Sequence, residues 1–193
     1  MARHKYEFRP DKTGLGLLNK LYLTKKQRLS LLKWGLYGLT LLVLSVLQDV
    51  ILCRLSVFGA TTDLVPCAIF LICIYQGAET GGVFALAASA LYQFSGTAPG
   101  YYIIALITVL GVFAAIFRQG YLRKSAGADL MCSGVVFALY ELVIFLVAVA
   151  AGNSSMQRLL TVAITFGLSC VAAPLLYALT TSIDKIGGNT WKE

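Results

Sequence analysis

The chain has 193 residues, 58% of them hydrophobic and only 13% charged, against about 25% charged in an ordinary soluble domain. The apolar residues come in long blocks, so lipid is the solvent for most of the chain; a secreted disulfide module, a Rossmann-type enzyme and a free nucleic-acid binder are excluded. The formal charge of +7 is local: nine of the 16 Lys and Arg lie in residues 1–33 beside two acids, Glu7 and Asp11, and the remainder is neutral.

Residues 1–33 read as a basic cytoplasmic tail, which fixes topology and meets anionic lipid headgroups. Leu15, Leu18 and Tyr22 repeat at helical spacing beside Lys20, consistent with a short amphipathic piece on the inner leaflet or with a loosely ordered tail. Thr24-Lys25-Lys26-Gln27 has the form of a capping box, so the first helix is expected to start there. A bilayer core needs about 20 apolar residues per spanning helix. Trp34 to Cys53 meets that need, as do Leu130 to Ala151 and Leu159 to Thr181, and Gly100 to Phe117 is adequate. The block is too long to be a signal peptide and ends in Asp49 and Arg54 rather than a small-residue cleavage site.

The stretch from Leu64 to Phe94 is harder to place. It is interrupted only around Gln76-Gly77-Ala78-Glu79-Thr80-Gly81-Gly82, and reads either as one overlong helix or as two short ones. Counting loop charges separates the two. Two helices give six spans and put 14 of the 16 basic residues on the cytoplasmic side, leaving only Arg54 and Arg158 outside. One long helix swaps the later loops and spoils the asymmetry. The expected fold is therefore all-α, a polytopic membrane protein of six transmembrane helices over residues 34–181. Both termini are cytoplasmic, and residues 182–193 form a short C-terminal tail.

Ionisable groups inside such a bundle come first as functional candidates, because a charge at the bilayer centre costs about 2.5–3.5 kcal/mol even on the lenient insertion scale. Glu141 sits near the middle of the fifth span. It reads either as a proton- or partner-responsive site or as a neutral carboxyl hydrogen-bonded to a neighbouring helix. Gln48 and Asp49 end the first span, with Arg54 five residues on. Asp49 reads as a partner of Arg54, as part of an outward-facing groove, or as an exposed interface residue. Asp63 opens the second span as an expected N-cap, with Pro66 inside the first turn. Glu79 falls in a short cytoplasmic turn. Gly81, Ala85 and Ser89 repeat at i+4, as do Gly111 with Ala115 and Ala148 with Gly152. Such ridges serve packing within the protein or docking of another protein's helix. Pro174 lies inside the sixth span and removes the hydrogen bond to the Cys170 carbonyl, so a kink is expected there.

Enzymatic signatures are missing from the sequence. There is no HExxH, no GxSxG and no Gly-rich phosphate loop, and the one histidine, His4, lies in the tail. Five cysteines (Cys53, Cys67, Cys73, Cys132, Cys170) form no CxxC pair and read as small hydrophobes. No catalytic activity, cofactor or metal is expected.

Around the first outer loop the sequence resembles a known family. Leu47-Gln48-Asp49, then Arg54-Leu55-Ser56-Val57-Phe58-Gly59-Ala60-Thr61-Thr62-Asp63-Leu64, is similar to the beginning of MreD, the bacterial rod shape-determining membrane protein. That family reads Gln at the end of helix one, a Leu-Ser-Ile-Phe-Gly-like loop, and Pro-Asp-Leu opening helix two. The likeness continues in Gln76-Gly77-Ala78-Glu79-Thr80-Gly81-Gly82 and in Leu91-Tyr92-Gln93-Phe94-Ser95-Gly96-Thr97-Ala98-Pro99-Gly100-Tyr101. Two positions depart: Thr62 replaces the family's Pro, and Tyr92 or Gln93 replaces the frequent acid ending helix three. The resemblance implies a non-enzymatic component of the cell-elongation machinery in the bacterial cell membrane. It would bind MreC and link MreB filaments to RodA and its partner transpeptidase in peptidoglycan synthesis, with helix and outer-loop docking at residues such as Gly81 and Ala85. The alternative is a substrate-binding S component of an energy-coupling-factor vitamin transporter, which shares the six-helix architecture. Such components often carry an Ala-xxx-Ala ridge in helix one, and Trp34 to Cys53 contains no alanine.

Overall fold

A computed structural model describes residues 25–54, 60–96, 98–122, 125–152 and 158–186. The amphipathic candidates Leu15, Leu18 and Tyr22, the outer-loop residues Leu55 to Gly59, and Arg123, Lys124 and Lys192 lie outside the described residues. The described chain is helical throughout: α1 (Lys25–Val50), α2 (Leu64–Gln76), α3 (Ala78–Phe94), α4 (Tyr102–Tyr121), α5 (Ala126–Ala150) and α6 (Leu159–Ile186), with a short 3-10 turn at Leu52–Arg54. Four of these helices, α1, α4, α5 and α6, are long and apolar enough to cross a membrane. Helix α1 is described from Lys25, with the capping-box residue Thr24 outside the described residues, and α6 runs without interruption through Pro174.

The apolar stretch from Leu64 to Phe94 is two helices, because Gly77 adopts a left-handed φ of 87° that ends α2 and begins α3. Only glycine takes that conformation without steric cost. The turn is closed by the Gly77 N–H donating to the Cys73 carbonyl at 3.0 Å and the Thr80 hydroxyl donating to the Gln76 carbonyl at 2.7 Å. A Cβ on Gly81 would come within 2.9 Å of the Cys73 Cα, so the two helices cross at backbone contact. Gly111 of α4 lies against the other side of Cys73, and a Cβ there would meet Sγ at 3.1 Å.

Helix α2 is the centre of the bundle. Twelve of its 13 residues are buried, with Ile69, Phe70, Leu71, Ile72 and Cys73 wholly enclosed. At 1.5 Å per residue it is about 20 Å long, and the other five helices surround it. Side-chain contacts give the direction of each. Lys33 and Tyr37 of α1 meet Gln76 and Asp184 at the C-terminal end of α2, while Gln48 meets Asp63 at its N-terminal end. Helix α1 is therefore antiparallel to α2. Helix α6 is parallel to α2, with Ser169 at one end and Asp184 at the other. Helix α3 returns from Gly77 to place Tyr92 on Asp63. Helix α4 descends from Ile104, whose carbonyl accepts from Ser89 at 3.4 Å, to Arg118, which is paired with Asp129 at the start of α5.

The outward surface is apolar where a soluble protein would be polar. Leu39, Leu42, Val83, Leu91, Val109, Phe113, Met131, Val135, Val171 and Leu175 are all exposed, while Gln48, Lys33, Asp129 and Glu141 are buried. This inversion of the usual rule fits a bundle in contact with hydrocarbon. Replacing Gly81 with leucine is expected to force α2 and α3 apart and lower stability by about 1–3 kcal/mol or more. Gly35→Ala, where nothing lies within 4 Å of the new Cβ, should leave the protein as stable as before or slightly more so. Thermal unfolding of the two purified variants in one detergent distinguishes these outcomes.

Candidate functional site

The N-terminal end of α2 carries the most connected polar cluster. The side chain of Gln48, from the last turn of α1, is buried and faces it. Gln48 Oε1 accepts from the backbone N–H of Leu64 at 3.0 Å and of Val65 at 3.1 Å. Its Nε2 donates to Asp63 Oδ1 at 2.8 Å. Tyr92, at the end of α3, donates its hydroxyl to the same oxygen at 3.0 Å, and the Asp63 N–H donates to Ser169 Oγ of α6 at 3.0 Å. Four helices thus meet on one carboxylate and its backbone.

The expected role of Asp63 is corrected here. It occupies the N-cap position but makes no side-chain cap bond. The cap comes from the Gln48 amide, which leaves the Asp63 carboxylate free to receive Gln48 and Tyr92. A neutral amide suits this place because it accepts from α2 and donates to Asp63 at once.

Helix α5 contributes two more groups. The Tyr140 ring is fully enclosed, packed edge-on against Phe70 at 5.9 Å and stacked on Phe137. Its hydroxyl points at Asp63 and Tyr92. Glu141 faces the bundle interior, 8% exposed, within electrostatic reach of Asp63. It makes no hydrogen bond to a described residue. Asp49 is half-buried, with Oδ1 meeting no donor, and forms no ion pair with Arg54 among the described residues. Glu79 is exposed.

Gly81, Ala85 and Ser89 are buried against this chain's own helices. Gly81 lies on Cys73, Ala85 beside Gly111, and Ser89 against α4. The ridge is consumed in packing α3 onto α2 and α4, so bulky residues there would disturb the fold before any docking surface.

Two polar assemblies lie at the opposite end of the bundle. Lys33 is 6% exposed and its ammonium contacts Asp184 Oδ1 at 2.5 Å. Gln76 Nε2 donates to Asp184 Oδ1 at 3.3 Å and to the Tyr37 hydroxyl at 3.1 Å. Lys33, counted with the basic tail on sequence grounds, is therefore part of the folded bundle. The Arg118 guanidinium holds Asp129 through two bonds, Nε to Oδ1 at 2.8 Å and Nη2 to Oδ2 at 3.3 Å, a geometry that suits arginine and a carboxylate. Both pairs were hidden from sequence reasoning because their members are 151 and 11 residues apart. The one available signal was an acid and a base flanking apolar blocks at equal depth.

All five cysteines are free thiols, and among the described residues no group of three or more His, Cys, Asp or Glu is placed to hold a metal ion. The fold and these contacts define the class, a helical membrane-protein bundle knit by buried polar contacts at both ends of a central helix. No protein-family model matches the chain, nor does a curated protein or a solved structure.

Gln48→Ala is expected to cost about 2–4 kcal/mol, because two buried N–H groups lose their acceptor. Tyr92→Phe removes one bond to a carboxylate and should cost about 1–3 kcal/mol. Denaturant or thermal unfolding in detergent ranks the two. For the second cluster, Asp184→Leu strands the buried Lys33 ammonium and should cost about 3–5 kcal/mol, whereas Lys33→Met strands only the half-buried Asp184 and should cost less. The double variant should recover much of that loss, and a double-mutant cycle reads the coupling.

Proposed function

We propose that this chain is a non-enzymatic, six-pass component of the bacterial inner membrane, of the MreD type. In this reading it docks MreC and links MreB filaments to RodA and its transpeptidase during cell elongation. The observation that carries it is the meeting of Gln48, Asp63 and Tyr92, residues far apart in the sequence, on a single carboxylate. Gln48 and Asp63-Leu64 are positions on which the resemblance rests, and Tyr92 stands at or next to the family's acid. Their contact supplies a physical reason for the pattern: an amide ending helix one caps helix two and holds its leading acid. With Asp63 already in the latch, a tyrosine donates where a second acid would repel. The carboxylate is kept in place here by a hydroxyl.

Six passes are consistent with the lengths of α2 and α3. Helix α2, enclosed by protein, does not have to match the hydrocarbon thickness that lipid-facing helices match, and α3, exposed along Val83, Leu86 and Leu91, has 17 residues, the lower end of the spanning range of about 17–25. The alternating directions of the helices place Arg28, Lys33, Arg118 and Lys185 at one end of the bundle, the end that the positive-inside rule assigns to the cytoplasm. The opposite end carries Asp49, Asp63 and Arg54. With the small-residue ridge of α3 turned inward, docking of MreC falls to the outward faces and the outer loops.

Purification of the tagged full chain from its own membranes in mild detergent, with mass spectrometry of co-eluting proteins, tests the assignment. MreC and RodA are expected. ATPase subunits with a large coupling membrane protein would point to the S-component reading instead. Topology has its own test. A single-cysteine variant keeping Cys53, which is exposed, should react with a membrane-impermeant maleimide on spheroplasts. A Gln119→Cys variant lacking the native cysteines should react only after permeabilisation; the reverse pattern would invert the orientation.

A further inference from the structure

The latch on Asp63 leaves one carboxyl beside it without a role. Glu141 of α5 is 8% exposed, lies within electrostatic reach of Asp63, and makes no hydrogen bond to a described residue. We propose that Glu141 is a buried proton-binding site, the neutral half of a carboxyl pair whose charged half is Asp63, and that its proton keeps the latch closed. The site stands on these two side chains and not on the elongation-complex assignment.

Charge balance requires the proton. Helix α5 packs on α2, α4 and α6. At this end α2 brings Asp63 and the Cys67 thiol, and α6 brings Cys170 next to Ser169. Helix α4 has no ionisable residue between Tyr102 and Arg118. Arg118 is bound to Asp129, which precedes Glu141 by about 18 Å along α5 at the helical rise. The other titratable groups at this end are the hydroxyls of Tyr92 on α3 and Tyr140 on α5 and a further acid, Asp49, in the last turn of α1. The cations here, Arg54 and Arg158, are exposed. No described cation therefore neutralises a second carboxylate, and two like charges in one enclosed site do not both ionise.

The hydrogen bonds decide which carboxyl holds it. Asp63 Oδ1 receives the Gln48 amide at 2.8 Å and the Tyr92 hydroxyl at 3.0 Å, and donors of that kind favour the charged form. Glu141 has none among the described residues, so the proton resides on its carboxyl. Losing it breaks the Glu141 O–H bond, passes the proton to a base in the water at that end of the bundle, and leaves two carboxylates opposed. Their repulsion acts against the contacts of Gln48, Tyr92 and Ser169 with Asp63 and its backbone. Coupling between two sites is reciprocal. The charge on Asp63 therefore tightens the hold of Glu141 on its proton by as much as the proton stabilises the latch.

The test is infrared spectroscopy of the full-length protein in phosphatidylcholine vesicles, with its glutamates isotopically labelled at the side-chain carboxyl. An ordinary glutamate is a carboxylate at neutral pH. Glu79 is exposed, and Glu7 and Glu193 lie near the chain ends in the sequence. A protonated-carboxyl C=O band that moves with the label is therefore expected from Glu141 alone. It should be lost in Glu141→Gln and kept in Glu79→Gln, and the label reads the site in the unaltered protein even if Glu141→Gln fails to fold. In Asp63→Asn, with no carboxylate opposite, the band should disappear at a proton concentration about tenfold higher or more, the low end of what a neighbouring charge does. Absence of a labelled protonated band at neutral pH, a band that the glutamate label does not move, or one that titrates unchanged in a folded Asp63→Asn variant would overturn the proposal. So would removal of the band by sodium or calcium at constant pH, which would assign the pair to a metal cation.

Discussion

A helix enclosed by other helices in lipid has no water for its first N–H groups and last carbonyls, so the rest of the chain must supply partners. That requirement organises this molecule. Helix α2 is surrounded on all sides, and its two ends are where distant segments converge. At the start, Gln48 accepts from two backbone donors. At the finish, Thr80 satisfies the Gln76 carbonyl while the Gln76 side chain reaches Tyr37 and Asp184. The arrangement of α1, α3 and α6 around α2 follows from these ties as much as from packing.

The two ends differ in chemistry. One is a hydrogen-bonded cluster built on an acid, with neutral donors around it. The other is built on salt bridges, Lys33 with Asp184 and Arg118 with Asp129. Breaking a buried ion pair by removing one member is more costly than the pair is stabilising, so these contacts specify register more than they add strength. Each of α1, α2 and α6 is fixed at both ends, about 20 Å apart by the helical rise over 13 residues. Sliding any one of them by a turn would strand polar groups at both ends together.

Much of the secondary structure was legible in the sequence. Long apolar blocks bounded by charge mark α1, α4, α5 and α6, and the Gln76–Gly82 interruption marks the break that Gly77 makes. The inward direction of Glu141 followed from the cost of a carboxyl in hydrocarbon. The capping of α2 was not legible, because Asp63 is an excellent cap residue by type and only the tertiary arrival of Gln48 displaces it. Nor could the sequence say whether the Gly81, Ala85 and Ser89 ridge meets a helix of the same chain or of another, since small residues serve both equally. Tyr92 shows the same limit: in the sequence it stands out only as a replacement for the acid that the resembled family carries there, and its hydroxyl has a role only once Asp63 is beside it.

The clamps on α2 also bear on how the chain is made. Asp63 waits 106 residues for Ser169, and Lys33 waits 151 residues for Asp184. At about 5–20 residues per second, the nascent chain spends on the order of 5–20 s after Asp63 appears before Ser169 follows. During that interval Gln48 and Tyr92 already hold the acid, so the α1–α3 segment can be settled at one end. The other end stays open, with a lysine lacking its counter-ion, until the last helix leaves the ribosome. A chain cut short before α6 would therefore leave Lys33 without its carboxylate and the Asp63 N–H without Ser169, so the last helix to be made is the one that completes both clamps.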